Sequence, residues 1–315
     1  MSKLQRIVLY DNEKAQLINS ANLDALRRYK IDMNIRGLAE STQHAYVSDI
    51  HRWFMFIYEY QHNKSVTELG EDDLTEFLYF CQTHGNSSAR VQFLVSTLSS
   101  FYKFLRKKRI IAENPLDFID MPKSGPSVRV QSFLSPTQVA LMREKLIRIG
   151  DIQLRAYAMF SISTMARSHA VASIKWSQVD FNSNAVHDVL EKEGKVVELY
   201  FSDEVKYALL ELKKYREDHN QEDYGYVFHT PRTKNHPVDN STLNNWCKQI
   251  GKLIDVPTLH THDFRHTGAS ILLNAGMPLE DVSSLLHHES MDTTKKYYIK
   301  QNTDRICATK ALYSF

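Results

Sequence analysis

The sequence predicts a mainly α protein in two parts, a helical N-terminal bundle followed by a mixed α/β unit with a small antiparallel sheet. Three observations predict it. Apolar residues recur at helical spacing through the first 120 residues, an aperiodic stretch interrupts them at 121–135, and two β-prone runs appear only beyond it. A chain of 315 residues that is 43% hydrophobic has the length for two domains and enough apolar side chains to give each a core.

In chain order, a first helix is expected near Leu23 to Arg36, closed by Gly37. Tyr46, Ile50, Trp53 and Ile57 then recur at i, i+4, i+7 and i+11, with Ser41 or Thr42 as the expected cap. A third helix follows Asp72 or Asp73, and a fourth runs from Val91 to Arg106. Its aromatic residues Phe93, Phe101, Tyr102 and Phe104 read as core rather than as a base-stacking platform. The stretch Met121 to Ser135 holds two prolines, one glycine and four serines, the composition of a linker. Helices at Pro136 to Ile149 and Ile152 to Ser163 come next. Ala185 to Leu190 and Val196 to Phe201 form a predicted hairpin around EKEGK, where Gly194 can take positive φ. Three further helices are expected: one capped by Ser202, one opened by Asn240 or Ser241, and one from His262 to Ala275 stopped by Gly276 and Pro278.

Composition removes several classes of function. Ten glycines and eight prolines exclude collagen-like and low-complexity chains, and 24% charged residues exclude a membrane bundle. The formal net charge is only +2, so a nucleic-acid partner would have to be met by clustered charge. Such clusters stand at Arg27, Arg28 and Lys30, and at Arg106 to Arg109. Cys81, Cys247 and Cys307 lie far apart without a C-x-x-C pair, which fits a reducing compartment. The N-terminal apolar run is too short for a signal peptide, and no membrane span is expected.

The chemistry concentrates near the C-terminus. His262 and Arg265 are i and i+3 on one predicted helix, so both side chains leave the same face. His288 follows Arg265 by 23 residues and Tyr297 follows His288 by nine. Arg167 ends an apolar helix, and Lys192 and Lys195 occupy the hairpin turn. Two arginines and two histidines can grip the non-bridging oxygens of a phosphodiester and neutralise the charge growing in its transition state. A tyrosine in line can attack phosphorus, and a lysine can protonate the departing oxygen. His262 and His266 have a zinc-compatible i, i+4 spacing but lack the glutamate and third ligand of a zinc site, so no metal is expected.

HDFRHTGASILLNAG and LLHHESMDTTKKYY resemble the H-x-x-R and L-L-G-H-x-x-x-x-T-T-x-x-Y boxes of the tyrosine recombinases of the phage integrase family. MARSHAVASIKWSQVDF resembles the family's first arginine box, and STQHAYVSDIHRWFMFI with ARVQFLVSTLSSFYKFLRKKRIIAENP is similar to its SAM-like core-binding domain. The resemblance spans roughly residues 20 to 300 and implies this organisation: an N-terminal extension at 1–20, a helical core DNA-binding domain at 21–120, a linker at 121–135, a catalytic domain at 136–300 and a C-terminal tail at 301–315. It implies that Tyr297 is the nucleophile, that Arg167 and Arg265 hold the scissile phosphate, and that His262 and His288 flank it. Lys192 is the expected general acid, with Lys195 the alternative, and Tyr298 stands beside the expected nucleophile.

The activity implied is site-specific recombination through a 3′-phosphotyrosyl link and a Holliday junction, without cofactor, metal or ATP. The partners implied are a double-stranded DNA recombination site and three further copies of the chain in a tetramer, with room for an accessory protein and no membrane. The expected setting is the cytoplasm, on the nucleoid of a prokaryotic host or in a phage or mobile element. A catalytically inactive DNA-binding accessory protein and a type IB topoisomerase-like strand relaxase are the alternatives. Arg27, Arg90, Lys103, Lys107 and Arg129 are the expected DNA contacts. Two positions depart from the family pattern: Ala170 stands where an acidic residue often follows the first arginine, and His287 where glycine is common. Whatever orients Arg167 must therefore come from elsewhere in the chain.

Overall fold

The computed structural model describes residues 13–120, 133–191, 194–221, 225–231, 233 and 236–287. The chain divides into two compact units, Met1–Val128 and Arg129–Phe315.

The first unit is a bundle of four helices: α1 (Ser20–Ile35), α2 (Glu40–Tyr60), α3 (Glu71–Thr83) and α4 (Ser88–Lys107). Asn19 caps α1 by accepting from the Ala21 N–H at 3.0 Å, and Ser87 caps α4 by accepting from Arg90 at 3.2 Å. Neither Ser41 nor Thr42 caps α2. That helix begins earlier, with Ala39 at the cap and Glu40 in the first turn, where a negative charge complements the helix dipole. Ile50, Trp53 and Ile57 are fully buried, as their spacing predicts, and Trp53 packs on Phe101 and Tyr102. Phe93 departs from its expected place in the core. It is 41% exposed and lies edge-on to Tyr46, on the rim.

The second unit is built around α6 (Ile152–Thr164), which packs against α5 (Pro136–Ile149), α8 (Asp203–Asp218) and α10 (Thr261–Asn274). Its burial explains why its sequence is apolar without a strong period. Ser135 and Gln138 form a capping box at the start of α5, and Leu134 is buried with its N–H donating to Thr267 Oγ1 at 2.8 Å. Leu134 and Ser135 thus pack with this unit, although the sequence composition reads them as linker.

The sheet is antiparallel in the order β1 (Val179–Asp180), β2 (Ala185–Leu190), β3 (Val196–Tyr200). At two residues, β1 is too short to leave a periodic signal. A register shift between Val186 and Val189 coincides with Asp188 at φ +54, so β2 carries a bulge that re-aims its last residues. Ser202 sits at the N-cap of α8 without a side-chain capping bond, and its N–H donates to Ser163 Oγ at 3.0 Å. The cap of α9 (Asn240–Leu253) is Asp239, one residue before the expected start. Helices α7 (Ser168–Ser173) and α11 (Leu279–Leu285) are short, and Gly276 at φ +97 turns the chain from α10 toward α11.

Candidate active site

The C-terminal unit gathers its cationic side chains where the ends of α6, β2 and α11 approach α10. Helix α6 stops at Met165, whose left-handed conformation (φ +53) reverses the chain and delivers Arg167 to the cap position of α7. Helix α10 approaches α6 closely because Gly268 faces it. A Cβ at that position would lie 2.1 Å from the Ile162 carbonyl oxygen. Three residues earlier on the same helix face, Arg265 exploits this approach. Its Nη1 donates to the Met165 carbonyl at 2.6 Å and its Nη2 to the Leu286 carbonyl, leaving the residue 5% exposed.

Arg167 is oriented by a carboxylate the sequence reading did not anticipate. Its Nη1 pairs with Glu191 Oε2, and its Nη2 lies 3.5 Å from the His287 carbonyl oxygen. Glu191 directly follows β2, and its N–H donates to the Lys195 carbonyl at 2.8 Å across the hairpin turn. Burial alone would raise the Glu191 carboxyl, but His287, Arg167 and Arg265 together hold it below the usual carboxylate range. The two residues lie 24 apart in the chain, and no local pattern announces such a contact.

His262 stands one turn before Arg265 on α10. The side chain is exposed, yet the partial loss of solvent around its ring, then the charges of His260, Arg265 and Arg167, outweigh the opposing Asp263 and lower its pKa, which favours the neutral form that can accept a proton. His260 caps the helix N-terminus with Asp263, Nδ1 to Oδ2 at 2.5 Å. His266 is lowered for the same first reason, burial. Among the described residues no group of three or more His, Cys, Asp or Glu side chains could hold a metal ion.

The structure thus brings together Arg167, Arg265 and His262. Lys192, His288, Tyr297 and Arg129 lie outside the described residues. Of the N-terminal candidates, Lys103 and Lys107 are exposed and one turn apart on α4. Arg27 is exposed and shares Asp24 with Arg28. Arg90 is committed differently: its guanidinium grips the buried Asp49 with two hydrogen bonds, beside Arg52.

Fold and site together define a two-unit protein, a helical bundle joined to an α/β unit whose two neighbouring arginines can hold an oxyanion such as a phosphodiester. The Phage integrase family model matches residues 132–305, and the model of the phage integrase N-terminal SAM-like domain matches 26–112. The chain belongs to the phage integrase family, the tyrosine recombinases. It is 26% identical over 275 residues to tyrosine recombinase XerC of Pediococcus pentosaceus, covering 83% of this chain and 88% of that one. Its fold is similar to that of the Tn1549 transposon integrase in complex with circular intermediate DNA (TM-score 0.68, 16% identity, 87% of this chain and 94% of the other). It is likewise similar to the lambda integrase in a tetramer bound to a Holliday junction (TM-score 0.65, 18% identity, 89% and 82%).

Proposed function

We propose that this protein is a site-specific DNA recombinase that cleaves and rejoins double-stranded DNA through a 3′-phosphotyrosyl intermediate. The observation that carries the reading is the convergence of Arg167, Arg265 and His262, with both arginines hydrogen-bonding or reaching toward the carbonyls of Leu286 and His287. That segment leads directly to His288 and onward to Tyr297. In this reading Arg167 and Arg265 neutralise the non-bridging oxygens as Tyr297 attacks phosphorus. The P–O bond to the 5′-oxygen breaks, Lys192 supplies its proton, and the phosphotyrosine keeps the bond energy for rejoining to a new 5′-hydroxyl, so no ATP is consumed. Neutral His262 takes the tyrosine proton and His288 donates a hydrogen bond to the phosphate.

Domain boundaries near 20, 120 and 300 belong to the same reading, with the linker ending before Leu134, as do a tetramer on a Holliday junction and action on DNA in the cytoplasm. The tetrameric lambda integrase on such a junction supports the assembly as a fold-level parallel. Among the described residues no helix is long and apolar enough to cross a membrane.

The test uses a nicked duplex that traps cleavage, in chelator and without ATP. A covalent protein–DNA adduct that survives denaturing electrophoresis and maps to Tyr297 is the expected result. Tyr297→Phe should lose it while still binding the duplex, because only the nucleophilic oxygen is removed. An adduct that maps to Tyr298 moves the nucleophile by one residue, and the absence of any adduct despite tight binding rejects the covalent mechanism.

A further inference from the structure

We propose that Glu191 is the positioning residue for Arg167, a role that deepens the recombinase reading and rests on it. Ala170, three residues after Arg167, offers no polar group, and it is buried among apolar side chains of the core. The carboxylate comes instead from the far side of the hairpin, where the bulge in β2 directs the strand end toward α7 and α11. The Glu191 side chain is 1% exposed while that of Arg167 keeps 30% of its surface open. The carboxylate therefore lies behind the guanidinium, and the open side is left for an anion.

The surroundings fit a fixed strut rather than a charge waiting to leave. Glu191 is faced by Arg167 at the start of α7, Arg265 on α10 and His287 beyond α11, all positive or able to become so. Its Oε1 stands 3.6 Å from His287 Nδ1, and neither atom makes a hydrogen bond among the described residues. One carboxylate thus ties the first arginine to the segment that leads to His288. It also stands next to Lys192 in the chain, so the same strand end carries the strut and the expected general acid.

The experiment measures covalent adduct formation by the full-length chain on a nicked duplex selected from a randomised library by that same chain. Rate at saturating DNA and half-saturating concentration are read separately. A misplaced Arg167 should cost Glu191→Gln about 10- to 100-fold in rate, the scale of an ångström-level misalignment, with half-saturation little changed. Glu191→Asp, which keeps the charge on a shorter arm, should lie between Glu191→Gln and wild type. In an Arg167→Lys background the Glu191→Gln loss should shrink to about twofold or less, since the two residues act as one unit. A fully structural role would instead give equal losses in both backgrounds and leave Glu191→Asp no better than Glu191→Gln, which overturns the proposal. So does a Glu191→Gln variant that matches or exceeds wild type, because the carboxylate would then compete with the DNA phosphate. A wild-type chain that forms no adduct rejects the recombinase reading and this role with it, whereas a normal adduct from both wild type and Glu191→Gln rejects this role alone.

Discussion

Gly268→Ala tests whether the close approach of α10 to α6 assembles the candidate site. The added Cβ would meet the Ile162 carbonyl oxygen at 2.1 Å and Met165 Cγ at 2.6 Å. The Met165 side chain can turn aside, but the carbonyl belongs to the backbone of α6 and moves only with the helix. Restoring an ordinary contact requires α10 to retreat by about 1 Å, an overpacking that costs up to about 3 kcal/mol. Replacing glycine by alanine within a helix returns about 1 kcal/mol, so the net loss is about 2 kcal/mol. For a unit of this size that corresponds to a fall of about 4–8 °C in melting midpoint. Adduct formation should fall further than stability alone explains, by about 100-fold at a temperature where the variant is folded, because α10 carries both His262 and Arg265. Thermal unfolding by circular dichroism and the nicked-duplex assay measure the two effects. Gly225→Ala is the control, since a Cβ there meets nothing within 4 Å. A Gly268→Ala variant that melts with wild type would refute the reasoning, because the helices would then have room the structure denies them.

Other outcomes are expected from the same geometry. Arg265→Ala should slow cleavage by roughly 3 kcal/mol of transition-state stabilisation or more, while leaving the Met165 and Leu286 carbonyls without this donor; a variant with wild-type rate would remove Arg265 from the chemistry. Arg90→Ala should destabilise the N-terminal unit by roughly 2 kcal/mol, because the buried Asp49 keeps only its longer 3.4 Å contact to Arg52, and by less than for a fully buried pair because Arg90 stays partly exposed. Lys103→Ala and Lys107→Ala should instead leave stability unchanged and each flatten the salt dependence of duplex binding by about one ion; unchanged salt slopes would place α4 away from DNA. His51 and His266, both half-buried, have pKa values lowered by the loss of solvent, so the unfolded chain binds more protons than the folded one as pH falls through 6.5, and stability falls with it. His187 has the opposite sign, raised by Glu198, and its contribution is lost as pH rises, but both partners are exposed and it counts for little. The melting midpoint should therefore be lower at pH 5.5 than at 7.5, and a midpoint equal or higher at 5.5 would contradict the burial of these rings.

Much of the fold could be read from the chain because the information is local. Helical spacing in α2 and α4 reports which face is buried, Pro136 marks where α5 starts, and Gly194 and Gly276 mark turns that need positive φ. Family membership was equally legible, since the spacing of Arg265, His288 and Tyr297 is a property of sequence. What remained hidden was local signal too short to have a period, as in β1, and any feature decided by partners distant in the chain. Phe93 has the right spacing for the core and still stands on the rim, because its position on α4 faces Tyr46 at the edge of α2.

The sequence by itself determined most of the helices, the hairpin and the family, and it named the candidate side chains, because helix periodicity, turn chemistry and motif spacing act over a few residues. Only the tertiary structure decided how those side chains are held. Gly268 is an ordinary helical glycine until α6 is laid against it, Arg90 is a surface cation until Asp49 is buried beneath it, and Glu191 is a turn residue until Arg167 arrives from 24 positions away. Each depends on the burial of a charge or a backbone contact between distant segments, energies that exist only once the chain has brought them together.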